Sequence, residues 1–383
     1  MVEAVARKSN SQFVVADTFA RIATHYELAH GDANELEERA RRVRTESRVE
    51  LIDLKSVRKT WKESKEGSFP VLSSQSVTLL KNAMREKKRA FVFAARRGIA
   101  PHTICNDCAI IVHCNHCGAP VVLHELERKR VLLCHRCGAS RDAHETCVRC
   151  GSWNLVSLGI GIGRVYDYLQ EHLPDTSLFR IDADTTKKPK DVQEVMTDFN
   201  EATDGAVLVG TTMALPYITE YFDECVISTL DSLMSIPDFR IEEKLFGLLM
   251  TVSEWTKNQV FIETSTPQNT MLKAIRSGNV ARYTREELKV REQFKYPPYT
   301  VLIKVTREGT KDAVIGDMQK FVRASRKYSP RVFSTLVKRE KAGFALSALI
   351  RVRKDSWPQE DLLGVLRALP TSFLVDVEPE RAL

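Results

Sequence analysis

The chain has 383 residues, of which 43% are hydrophobic and 28% charged, and carries a formal net charge of +7 at neutral pH. That length suits two or three globular domains with proper cores. No apolar run approaches the roughly 18–20 residues of a membrane helix, and the opening MVEAVARKSNSQFVVAD has no apolar stretch of signal-peptide length, so a cytoplasmic location with reduced thiols is expected.

In chain order, QFVVAD (12–17) reads as a strand and 18–30 as a helix. ELEERARRVRTESR (35–48) follows as a solvated helix face and VELIDLKS (49–56) as another strand. This first part, 1–88, is short for a full sheet of its own. KKRAFVFAARRGIAP then offers Ala90–Ala94 as a buried strand.

The next stretch holds eight of the nine cysteines: Cys105, Cys108, Cys114, Cys117, Cys134, Cys137, Cys147 and Cys150, which form four C-x2-C pairs. Both sulfurs of such a pair can face one ion about 2.3 Å away, and two pairs complete a tetrahedron, so eight thiols make two closed zinc sites that are structural rather than catalytic. VVLHELERKRVLLC (121–134) reads as a hairpin that brings Cys114 and Cys117 to Cys134 and Cys137, which leaves Cys105 and Cys108 for Cys147 and Cys150. Sequential pairing of 105/108 with 114/117 is the alternative, as is iron–sulfur ligation. Disulfides fit a reducing compartment poorly. His102, His113, His116, His124, His135 and His144 lie nearby but are expected at the surface or behind the ligands. Arg128, Lys129, Arg130, Arg136 and Arg141 either meet nucleic-acid phosphates or form an ordinary solvated face. Eight thiolates on two zinc ions would lower the net charge to about +3, so charge alone decides little about an acidic partner. Cys225 stands alone and reads as core.

After the cysteines, NLVSLGIGIGRVYDYLQEHLP gives a strand, a glycine-rich turn and a helix. SLFRIDADTT is a strand, 189–200 a helix, and GAVLVGTTMAL, ECVISTLD and KNQVFIETSTP are further buried strands. Apolar strands alternating with helices predict a parallel α/β sheet, with ligands at the C-terminal strand ends. From 299 the order changes to β-α-β-β-α-β, the pattern of a ferredoxin-like α+β unit.

RRGIAP running into four C-x2-C pairs, then RIDADTT, VLVGTTM, PDFR and KYPPY, resembles the PriA-type replication-restart helicases, also called primosomal protein N-prime. The similarity runs from about residue 12 to the end. It implies a RecA-like helicase lobe over 89–104 and 151–298, a zinc-binding insertion over 105–150, and a C-terminal DNA-binding domain over 299–383, with 1–88 a remnant of a first helicase lobe and a linker. It also implies ATP-driven 3′-to-5′ DNA unwinding, two zinc ions in the nested pairing, and a role in primosome assembly with a partner that loads the replicative helicase.

The sequence departs from that pattern where ATP and Mg²⁺ would bind. It contains no G-x-x-x-x-G-K-[ST] phosphate loop and no acidic Mg²⁺ box. LPYITEYF stands where the family has a glycine-bearing loop, and SEWTKNQV where it has a glycine- and arginine-rich motif. Arginines of that kind are worth roughly 10³–10⁵ in rate. The expected function is a DNA-binding restart component without ATPase activity of its own. The alternatives are half of a split helicase whose phosphate loop lies on a separate chain, and a zinc scaffold that binds only proteins. The expected partners are forked or single-stranded DNA and primosome proteins, with no membrane.

The candidate DNA contacts are Arg96 and Arg97 at a strand end, Thr185 and Thr186 after RIDAD, Thr211 and Thr212 after VLVG, and Arg128, Lys129 and Arg130. Each has a structural alternative in an ion pair, a turn or a solvated face. Gly159, Gly161 and Gly163 look like a strand-to-helix turn more than a phosphate cradle. Asp182 and Asp184 suit capping, Asp238, Phe239 and Arg240 a packed turn, and Tyr296, Pro297, Pro298 and Tyr299 a stiff interdomain joint.

Overall fold

The computed structural model describes residues 6, 9–15, 19–34, 47–64, 71–94, 102–105, 112–116, 121–126, 129–134, 139–158, 161–234, 236, 238–334 and 344–379. It begins with helix α1 (Ile22–His30), strand β1 (Arg48–Asp53), and helices α2 (Leu54–Ser64) and α3 (Ser74–Arg85), followed by β2 (Arg89–Phe93). Ser73 caps α3 by accepting from the Ser76 amide at 3.1 Å, which satisfies one of the open N–H groups of a first turn.

Five short strands belong to the cysteine region: β3 (His102–Cys105), β4 (Val122–Leu126), β5 (Lys129–Leu133), β6 (Ser140–Asp142) and β7 (Leu155–Leu158). The α/β alternation then resumes with α4 (Ile162–His172), β8 (Ser177–Ile181), α5 (Pro189–Glu201), β9 (Ala206–Gly210), β10 (Phe222–Ile227), α6 (Leu230–Met234), α7 (Ile241–Glu254), β11 (Thr256–Thr264), α8 (Thr270–Ser277) and α9 (Val280–Gln293).

Six of these strands form one sheet in the order β1-β11-β10-β2-β9-β8, and every pairing in it is parallel. The chain is thus a mixed α/β protein whose main sheet is consistent with a RecA-like lobe. Successive side chains alternate between two cores. Phe91 and Phe93 enter one with Leu208, Ile227, Phe246 and Leu272, while Ala90, Val92 and Ala94 enter the other with Leu80, Val165 and Leu169. A sheet covered on both faces needs apolar residues at every position of its central strands, which is why AVLVG is buried throughout.

Residues expected to belong to a first-lobe remnant contribute to this same sheet. Strand β1 pairs with β11 from Arg48↔Gln259 to Asp53↔Thr264, and α3 supplies Val77 and Leu80 to the second core. Over the described part of QFVVAD, residues 12–15, the expected strand does not form. Residues 11–15 have no regular structure, and Phe13, Val14 and Val15 are exposed. No described strand pairs with this segment, and an unpaired strand is unstable in water. The helix expected over 35–48 falls almost wholly outside the described residues.

The C-terminal elements are β12 (Thr300–Gly309), α10 (Lys311–Ala324), β13 (Arg331–Ser334), β14 (Phe344–Arg353), α11 (Glu360–Arg367) and β15 (Phe373–Val377). They make an antiparallel sheet in the order β13-β14-β12-β15. Helices α10 and α11 bury Met318, Phe321, Leu362 and Leu366 against one face of this sheet. Its other face carries Leu302 and Leu349, which pack with Phe239, Tyr296 and Phe333.

Candidate metal centre and strand-end loops

Strand pairing explains how distant cysteines meet. Strands β3 and β7 are antiparallel with Cys105 opposite Leu155, so the end of β3 lies beside the chain that has just left Cys150. The turn from Cys147 is tight: its amide donates to the Ser152 carbonyl at 2.7 Å, and Gly151 donates back to the Cys147 carbonyl at 2.8 Å. Gly151 has φ +71°, a left-handed conformation that glycine adopts without strain. As a result the sulfurs of Cys105, Cys147 and Cys150 all lie within 4.8 Å of one another, with Cys105 and Cys150 at 3.5 Å. Sulfurs bound tetrahedrally at about 2.3 Å sit about 3.8 Å apart, so these three thiols are placed to hold a metal ion. The Arg149 amide points at the Cys147 sulfur from 3.4 Å, a contact that favours the thiolate a metal requires.

A second group forms at the open end of the β4–β5 hairpin. The register Val122↔Leu133 sets the chain leaving the Cys114 turn beside Cys134. Cys114 and Cys134 are both buried, and the His116 amide donates to the Cys114 sulfur at 3.4 Å. Arg141 sits over this group, bound to Glu145 at 2.7 and 2.8 Å and to the His113 carbonyl at 2.9 Å. Glu145 above all favours the guanidinium's charged form, with smaller help from Cys114 and Cys134. Cys108, Cys117 and Cys137, expected as ligands, lie outside the described residues. His113, His116 and His144 are exposed, and no described histidine joins the thiol group.

The expected DNA contacts separate into two kinds. After β8, the buried Asp182 carboxylate accepts from Arg180 Nε at 2.5 Å and from the Asp184 and Thr185 amides at 2.7 and 3.1 Å. Burial alone would push this carboxyl up, but the Arg180 bond and the two amides outweigh it and hold it below its ordinary value. Thr186 is buried and donates to the Asp182 carbonyl at 2.7 Å. At the neighbouring end of β9, Thr211 is buried and accepts from the Met213 amide at 3.2 Å. Both hydroxyls are thus engaged inside the protein, whereas Thr185, whose hydroxyl reaches the Asp182 carbonyl at 3.4 Å, and Thr212 are exposed at adjacent C-terminal strand ends.

Arg130 donates to the Leu155 carbonyl at 2.7 Å and so ties the hairpin to β7. Arg96, Arg97 and Arg128 lie outside the described residues, as does the side chain of Lys129. Cys225 is fully buried in the main core, which pushes its thiol well up. Asp238 accepts from the Arg240 amide at 3.0 Å and pairs with Lys244 at 2.8 Å, a capped turn.

The sequence marked SEWTKNQV as a departure but did not show that it forms a one-residue junction between α7 and β11. Helix α7 ends at Glu254 and β11 starts at Thr256, leaving Trp255 alone between them. The Trp255 carbonyl accepts from the Phe222 amide at 2.8 Å and its ring packs 5.2 Å from exposed Tyr221.

No family model matches the chain. Individual proteins do. The replication restart protein PriA of Bacillus subtilis is 28% identical over 265 residues, 67% of this chain. PriA of Synechocystis is 28% identical over 276 residues, 69% of this chain. This chain is a relative of the replication restart protein PriA. PriA of Treponema pallidum is 27% identical over 317 residues, 80% of this chain. The matched regions span 32% of the first two PriA proteins and 46% of the third.

Proposed function

We propose that this PriA relative is a DNA-binding component of replication restart that does not hydrolyse ATP by itself. What supports the DNA and restart reading is the relationship to PriA over most of the chain. The observation that carries the loss of hydrolysis is the α7–β11 junction. A loop offering arginines to a nucleotide would have to leave the fold there, and Trp255 alone bridges helix and strand, its carbonyl bonded to β10. Ser253, just before it, is equally fixed by the Ser47 hydroxyl at 2.8 Å.

In this reading the cysteine region carries two zinc ions, one held by Cys105, Cys108, Cys147 and Cys150 and the other by Cys114, Cys117, Cys134 and Cys137. The closeness of the first three described thiols and the hairpin register at Cys134 support it. The zinc would supply cross-linking of a small unit that has little apolar core. The parallel sheet serves as a RecA-like lobe that offers Thr185 and Thr212 to a DNA backbone, and the C-terminal sheet, whose order suits a ferredoxin-like unit, adds further contacts. Forked or single-stranded DNA and the proteins that load a replicative helicase are the partners.

The test is DNA binding at increasing salt, run beside an ATPase assay with and without DNA. The reading requires affinity that falls steeply with salt, as phosphate contacts release counterions, and no DNA-stimulated hydrolysis. Salt-independent binding, or hydrolysis by the chain alone, contradicts it.

A further inference from the structure

Where α9 leads into the C-terminal sheet, a groove of about 740 Å³ opens between the two. That size lies within the roughly 300–1,000 Å³ of ligand clefts. Five lysines and arginines line the groove, and no aspartate or glutamate does. Two of the five are committed: Lys327 pairs with Asp361 at 2.7 Å and Arg353 with Asp355 at 2.6 Å. Lys295, Arg331 and Arg351 are in no ion pair among the described residues.

Three polar atoms of lining residues are buried without a hydrogen-bond partner among the described residues, Tyr328 Oη, Arg351 Nε and Gln359 Oε1. Buried polar groups are almost always satisfied, so each points to a partner from outside the chain. Arg351 is also held in place. Its guanidinium lies 5.6 Å from the centre of the Tyr296 ring, and Tyr296 stacks on Phe239 at 4.7 Å with the rings 4° from parallel. A guanidinium fixed on a ring and in no ion pair among the described residues is set to bond a phosphate. Beside it Phe294 is 57% exposed, a large ring in water with no apolar cover.

We propose that this groove binds a nucleotide unit of a single strand, its phosphate bonded to Arg351 between Lys295 and Arg331 and its base stacked on Phe294. The proposal rests on the DNA-binding reading above and assigns that binding to a place outside the metal centre and the strand-end loops. An acidic peptide would use the cations but leave the exposed ring idle, which favours the nucleotide.

The test titrates a labelled oligothymidylate with the full chain, its metal retained, as wild type, R351Q and F294A. Metal content and thermal midpoint serve as controls on folding. Both variants should bind about tenfold more weakly, F294A by the scale of one lost base stack and R351Q by that of a lost charge-assisted hydrogen bond. R351Q should also flatten the salt dependence by about 0.7 in log–log slope, the value for one phosphate contact on a single strand. F294A, which removes no charge, should leave the slope unchanged.

Full wild-type affinity in both variants overturns the groove and leaves the DNA-binding reading standing. Failure of the wild-type chain to bind any DNA overturns that reading and the groove with it. Two competitors identify the source of the nucleotide. Displacement by the unlabelled strand, or by free thymidine triphosphate with the same loss in R351Q, supports the groove. Displacement by an acidic peptide with no response to either nucleotide form overturns it.

Discussion

Arg291 Nη2 lies 2.8 Å from Glu243 Oε2, with the arginine side chain only 2% exposed. The same guanidinium bonds Glu287 through Nε at 2.7 Å and the Pro297 carbonyl at 3.4 Å, while the other oxygen of Glu243 accepts from the Ile22 amide at 2.9 Å. One buried ion cluster thereby ties α1, α7, α9 and the Tyr296–Tyr299 joint together. Removing one member of such a cluster leaves the others charged and dry, at a cost of about 3–5 kcal/mol. We expect R291M to lower unfolding free energy by that order in a urea titration. A change below about 1 kcal/mol, the scale of a surface pair, would show that the cluster is not the clamp its geometry implies.

Asp182 gives a pH signature. Its folded carboxyl ionises below the ordinary carboxylate range, because the Arg180 bond and two amides more than offset burial. The ionised form therefore contributes stability above that range and loses it as pH falls through the folded value. D182N should be less stable than wild type by about 1.5–3 kcal/mol near neutrality, the scale of charge-assisted hydrogen bonds. The gap should shrink in acid. Urea titrations at the two pH values check this, and an equal gap at both would refute the role given to the carboxylate.

Gly210 ends β9 where a side chain has no room. A Cβ there would stand 2.9 Å from Phe91 Cε2 and 3.0 Å from the Ala214 Cβ. Phe91 cannot easily withdraw, since it stacks on Phe222 at 4.9 Å within the core. G210A should cost about 1–3 kcal/mol through overpacking and shift the exposed Thr212 just beyond it. A denaturation midpoint equal to wild type would mean the core yields more readily than its packing implies.

Metal stoichiometry tests the nested pairing. Native mass spectrometry should find two zinc ions per chain, one in C147S, one in C134S and none in the double substitution, because the two strike different sites. If the double substitution kept one ion, Cys134 and Cys147 would share a site and the pairing would be wrong. Chelation should expose the β3–β7 and β4–β5 amides to hydrogen exchange while β2, β9 and β10 stay protected, since those strands belong to separate cores.

Much of the main sheet was legible because its central strands are apolar at every position, a pattern only a doubly covered parallel sheet imposes. The hairpin between the cysteines was legible from its polar turn. Other features were not, for physical reasons. Residues 48–53 read as part of a first-lobe remnant, since nothing local says which sheet edge a strand will join. Glu287 and Arg291 are spaced i,i+4 on a helix, the spacing of an ordinary surface pair, and only the third partner, Glu243, 48 positions away, reveals burial. Thr186 and Thr211 looked as available as Thr185 and Thr212, because which hydroxyl turns inward is set by the turn around Asp182 and by the cap on Met213. The groove is assembled from α9, the joint and three stretches of the C-terminal unit, so no contiguous segment signals it.

The central claim is that this PriA relative engages DNA as a restart factor whose zinc-held region takes part. The measurement that tests it most directly is binding to a labelled three-way fork, competed with plain duplex and with single strand, before and after zinc removal. The account expects a clear fork preference that fades when the metal is withdrawn. Equal or negligible binding to all three, unchanged by zinc removal, would contradict it.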